Sequence, residues 1–153
     1  MRNRWVPTCC AAAIVLAPAA CSSSPADYTP PKGELVAGTA QVTVNGNDEG
    51  TTDAVQCDTT GYLTTITTGD ERSGVTAMVS NQEALTVESV RINNIGGFTG
   101  SYTAGVGATS DPADIAQVSM TGRTYDISGE ADGFNTDNPS FRANGTFSIQ
   151  VSC

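Results

Sequence analysis

The sequence predicts an all-β fold over residues 35–153: an antiparallel β-sandwich or open barrel of short strands, with little helix and one disulfide. Three observations predict it. Apolar residues alternate with polar ones in short runs, the pattern of strands with one buried face. Gly, Asn and Asp separate those runs, and the chain holds 16 glycines in 153 residues. No segment keeps a 3.6-residue apolar period with capping residues at its ends.

The strands follow in order. Val42 and Val44 alternate with Thr43 and Asn45. The polar run Asn45–Gly50 that follows reads as a hairpin turn. Its oxygen-rich side chains superficially match a calcium loop. The position that should hold the bidentate Glu is Gln56, and strands flank the run, so an EF-hand is excluded. Val55 and Cys57 share a face, and Tyr62, Thr64 and Ile66 alternate through a Thr-rich run. Asp70 and Glu71 sit on a turn with Arg72. Neighbouring acids on a solvated turn are not a general acid/base pair without a cleft. Val75, Ala77 and Val79 share a face. Leu85 and Val87 begin another strand, and Val90 and Ile92 continue it in the opposite parity, which predicts a bulge near Ser89. Single helical turns are expected at 81–84 or 111–114. Ala116, Val118 and Met120 form a strand that turns at Thr121-Gly122-Arg123 and returns through Tyr125 and Ile127, a hairpin signal. Residues 132–138 read as a loop, and Asn144-Gly145 as a turn into the last strand. In that strand Phe147, Ile149, Val151 and Cys153 face one way and Thr146, Ser148, Gln150 and Ser152 the other.

Residues 1–20 read as a secretory signal. Arg2 and Arg4 precede an uncharged run, Trp5 to Ala20, which is too short and too rich in Ala and Pro for a membrane span of about 20 apolar residues. The run ends in Ala19-Ala20-Cys21. Small residues directly before a Cys are what lipoprotein processing requires: a thiol to take the lipid and small side chains at the cut. Pro18 departs from this pattern, since an aliphatic residue usually stands there and Leu16 lies two positions earlier. Lipidation is assigned to Cys21. Residues 21–34, rich in Ser and Pro, cannot bury a core and read as a flexible linker. Ser22, Ser23, Ser24 and Thr29 are candidate O-glycan acceptors, with a plain linker the simpler reading.

Charge and composition narrow the functions. The chain carries 7 Lys and Arg against 16 Asp and Glu, formally −9, and loses two Arg with the signal. That argues against nucleic acid, which needs clustered cations, and against adhesion of the folded domain to anionic lipid. No histidine is present, which removes the commonest general base, metal ligand and nucleophile partner. The sequence therefore names no catalytic residue, metal ligand or cofactor, and the protein is expected not to be an enzyme.

Cysteine counting adds a cross-link. Cys9 and Cys10 leave with the signal and Cys21 takes lipid. Cys57 and Cys153 remain, both on apolar strand faces, and in an oxidising compartment such a pair reads as a disulfide inside the sandwich or at its edge. It closes a loop of nearly a hundred residues, for which chain entropy gives about 4–5 kcal/mol. A catalytic thiol is the competing reading, and it lacks a partner base.

These features together resemble the mycobacterial LpqH-type lipoprotein antigens. The residues that carry the resemblance are the signal ending at Cys21, the stalk, Val44-Asn45-Gly46, and Val55-Gln56-Cys57-Asp58-Thr59-Thr60. The hairpin Gly122–Gly129 and the terminal Phe147–Cys153 complete the set. The resemblance implies a cell-surface antigen held in the membrane bilayer by acyl chains on Cys21, recognised through those chains by host Toll-like receptor 2. It brings no catalytic residues. A monomer is expected. The alternative is a cell-envelope carrier that holds an apolar ligand between its sheets. A third reading, a carboxylate-based hydrolase of envelope glycans, requires two acids facing each other across a groove.

Overall fold

A computed structural model of the chain describes residues 28–106 and 115–153. The signal, Cys21 and the expected helical turn at 111–114 lie outside the described residues.

Ten strands form one antiparallel sheet: β1 Ala40–Val44, β2 Asn47–Thr52, β3 Val55–Thr60, β4 Leu63–Gly69, β5 Gly74–Ser80, β6 Thr86–Ile95, β7 Phe98–Thr103, β8 Gln117–Thr121, β9 Thr124–Asn135 and β10 Ala143–Ser152. The spatial order is β2-β1-β10-β9-β7-β6-β5-β4-β3, with β8 paired to β9 off that path. No helix occurs among the described residues. The sheet coils around a single core without closing, because β2 and β3 at its two ends do not pair. This is the open-barrel form of the expected fold.

The alternation read from the sequence places the core. Val42 and Val44 of β1, Val75, Ala77 and Val79 of β5, and Phe147, Ile149 and Val151 of β10 are all buried. In β6 the register slips so that Met78 faces Ser89 and Val79 faces Val87. Glu88 is the extra residue. This is the expected bulge, and it lets Val87, Val90 and Ile92 all point inward.

Five local expectations are corrected. Asn45 and Gly46 alone make the first turn, with φ of 53° and 78°; both positive values suit the two-residue hairpin loop that Asn-Gly favours. Asn47–Gly50 then run into β2, an almost wholly exposed edge strand. Residues 132–135 are the end of β9, not a loop. Asn144 and Gly145 pair with Asp132 and Ala131 inside β10 and do not turn. Gly145 serves a different need: a Cβ there would lie 2.7 Å from Phe98 Cζ, so the ring of the fully buried Phe98 rests on the bare backbone. Tyr62 sits in the β3–β4 turn, half exposed, and Thr64 takes the buried position. Residues 82–84 form a bend, not a helical turn.

Candidate functional site

Two places on the sheet gather the residues singled out above: the end where the chain enters the fold, and a groove where the sheet divides.

At the entry end, the chain is tied down before its first strand. Glu34 N donates to Pro31 O at 3.0 Å. Leu35 N donates to the hydroxyl of the buried Thr124 at 2.9 Å. Gly38 N donates to Ser152 O at 2.8 Å, and Ser152 N returns a bond to Thr39 O at 2.9 Å. Residues 34–39 therefore run along the start of β9 and the end of β10. The β8–β9 turn is at Gly122-Arg123, as the sequence predicts, and the Glu34 carboxylate lies against Gly122.

The disulfide is built into this end. Cys57 and Cys153 are bonded, with Cα atoms 6.0 Å apart at a sequence separation of 96. Both are partly buried against the core, which places the bridge at the edge of the fold. Cys57 belongs to β3, the last strand of the sheet, and Cys153 follows β10. One covalent link thus joins the sheet's outer end back to its middle. Arg123 Nη2 holds the Cys153 oxygen at 2.7 Å.

The groove arises from unequal pairing of β9. β8 covers Thr124–Ser128 on one flank of β9, and β7 covers Asp132–Asn135 on the same flank. Between them, residues 129–131 have no strand beside them on that flank. Ala116 approaches so closely there that a Cβ on Gly129 would meet its Cα at 2.9 Å. The resulting groove, about 730 Å³, is lined by Leu85, Val87, Tyr102, Ile115, Ala116 and Val118, with Glu88 its one carboxylate among the described residues. Val87 and Val118 were legible as strand residues. Tyr102 and Ile115 stand in no alternating run, and only the parity break at the bulge hinted that β6 bends away here.

A second, smaller depression of about 470 Å³ holds Asp70 and Glu71 beside Arg91 and Asn93. Asp70 Oδ1 accepts from Arg72 N at 2.7 Å and Ser73 N at 2.9 Å. The amides of Ser73 and Arg72 hold this carboxyl below its ordinary value. The two acids share one turn, so among the described residues neither depression carries carboxylates on facing walls. Among the described residues, no three His, Cys, Asp or Glu side chains converge as metal ligands, and no helix is long and apolar enough to cross a membrane.

Comparison with known proteins gives a consistent set of relatives. The family model described as Mycobacterium 19 kDa lipoprotein antigen matches residues 33–153. A protein of Mycobacterium indicus pranii named as a lipoprotein is 40% identical over 157 residues, spanning all of both chains. One of Mycobacterium avium subsp. hominissuis is 32% identical across all of this chain and 97% of its own. The lipoprotein LpqH of Mycobacterium tuberculosis is 31% identical over 113 residues, 74% of this chain and 68% of its own.

Proposed function

The chain belongs to the Mycobacterium 19 kDa lipoprotein antigen family, and we propose that it is a surface lipoprotein held in the cell membrane by acyl groups on Cys21. Residues 1–20 are its signal, 21–34 its tether and 35–153 the displayed domain. The observation that carries this reading is Ala19-Ala20-Cys21 at the end of an apolar signal, in a chain whose relatives are named lipoproteins. The cysteine pairing supports it, since Cys57 and Cys153 are bonded to each other and leave Cys21 for lipid. One acyl chain binds a bilayer only marginally, whereas two or more hold it stably, at about 0.8 kcal/mol per buried CH₂. Recognition by host Toll-like receptor 2 through those chains follows from the same anchor.

The test is Cys21→Ala in a mycobacterial host. The natural protein partitions with membranes and carries the added mass of acyl groups. The variant appears in the soluble fraction and fails to activate cells reporting on Toll-like receptor 2. Retention of the variant in the membrane fraction would overturn the anchor.

The groove favours a second reading, a carrier of an apolar ligand. Its volume falls in the range of small-molecule sites, roughly 300–1,000 Å³, and its walls are mainly aliphatic. Lipid retained by the natural domain and lost from Val87→Glu supports this reading; a lipid-free domain from mycobacterial membranes counts against it.

A further inference from the structure

The entry end carries a group of exposed apolar side chains. Three exposed apolar side chains lie around it: Tyr28 at 65%, Val36 at 43% and Met120 at 50% of full exposure. Gly33 packs beside Thr121, and the bond from Leu35 to Thr124 fixes this stretch along the β8–β9 turn. Two of the chain's 7 basic residues, Lys32 and Arg123, are exposed here. Glu34 and Asp126 lie beside them. At the opposite end of β9, Thr136 is bonded to Gly97 and Glu49 lies beside Gly96. β9 spans 12 residues, which separates its ends by about 36 Å.

Chain length limits how far the entry end can lie from an acylated Cys21. Tyr28 is seven residues from Cys21 and cannot lie more than about 25 Å from it even when that stretch is fully extended. We infer that the domain rests on the bilayer through its entry end. Met120, Val36 and Tyr28 enter the interfacial layer, Lys32 reaches the headgroup phosphates, and the opposite end is displayed outward. Tyr and Lys are side chains with an apolar body and a polar tip, suited to that depth. The contact needs little affinity of its own, because a short tether holds the domain at an effective concentration on the order of mM. This inference rests on acylation at Cys21.

The sequence supplies its own probe. The only tryptophan, Trp5, lies in the signal, so a tryptophan placed in the domain is unique in the mature protein. Acylated Met120→Trp, Val36→Trp and Phe141→Trp proteins are reconstituted in phosphatidylcholine–phosphatidylglycerol vesicles containing doxyl-labelled lipid. Phe141, 73% exposed in the β9–β10 connection, reports on the far end. The expected result is loss of fluorescence from Met120→Trp and Val36→Trp and none from Phe141→Trp. Two independent entry-end probes guard against one variant misfolding. Flotation with the vesicles but equal quenching at both ends overturns the orientation and leaves the anchor standing. Failure to float overturns the anchor and this inference with it.

Discussion

The two flanks of β9 are built differently. On one, β10 pairs without interruption from Gly133 to Thr124. On the other, β8 and β7 share the edge and leave residues 129–131 uncovered. The continuous flank buries Phe147, Ile149 and Val151 and presents no opening. The divided flank produces the groove and leaves Met120 half exposed. A ladder that runs without a break specifies packing on both strands at once. A divided one frees the side chains at the break for something other than stability. The disulfide compensates for the division. The arm β7-β6-β5-β4-β3 lies beyond the break, and Cys57 at its end is tied back to Cys153 on the continuous side.

Breaking that tie gives the largest expected effect. The double variant Cys57→Ser/Cys153→Ser should lose about 4–5 kcal/mol of unfolding free energy in denaturant. Amide exchange should accelerate more in β3 and β4 than in β9 and β10. Uniform acceleration across all ten strands would mean the divided flank is not the weaker one. Next comes packing. Phe98→Ala removes the ring that rests on Gly145 and should cost about 3–4 kcal/mol. Val118→Ala, at the half-buried position of the otherwise exposed strand β8, should cost less than about 1 kcal/mol. Equal losses from the two substitutions would show that β8 packs as firmly as the buried start of β7.

The same contrast governs what the sequence could say. Alternation was legible wherever a strand has one face in the core, which is why β1, β5 and the Phe147–Val151 part of β10 stand as read. The bulge was legible because inward residues change parity at Glu88. What escaped was set by contacts distant in sequence. Asn-Gly at 45–46 turns and Asn-Gly at 144–145 does not, and nothing local separates them. The second glycine is there because Phe98, from another strand, needs the space above it. Asp132–Asn135 looked like a polar loop because β7 pairs with it from far along the chain. The groove was invisible for the same reason: it depends on where β7 stops and β8 begins beside β9. The cysteine pair was legible because counting, not geometry, assigned it.

A smaller effect tests the break itself. Gly129 lies where β8 closes in, and a Cβ there would sit 2.9 Å from Ala116 Cα and 3.0 Å from Phe147 Cζ. Gly129→Val should push β8 outward and cost about 1–3 kcal/mol. Its signature is a widened groove, read as increased binding of an apolar dye to the folded protein. Unchanged stability and dye binding would show that β8 is not held by this approach.

The smallest effect belongs to the far arm. The Asp70 carboxylate closes the β4–β5 turn by accepting from the amides of Arg72 and Ser73, and those bonds lower its pKa below 3.8. The folded state therefore binds this proton less readily than the unfolded chain does. The stabilisation it gives is complete above the unfolded value, and it declines as pH falls below 3.8 through the folded value. Asp70→Asn keeps an acceptor oxygen and removes the charge. Its melting temperature should fall slightly below that of the natural protein from neutral pH down to mildly acidic pH, and the two curves should converge in stronger acid. The side chain is solvated, so added salt should narrow the gap. A gap that persists in strong acid would show that Asp70 acts through its shape and not its charge. In that case the turn, like Gly145 and Gly129, would be held by fit alone.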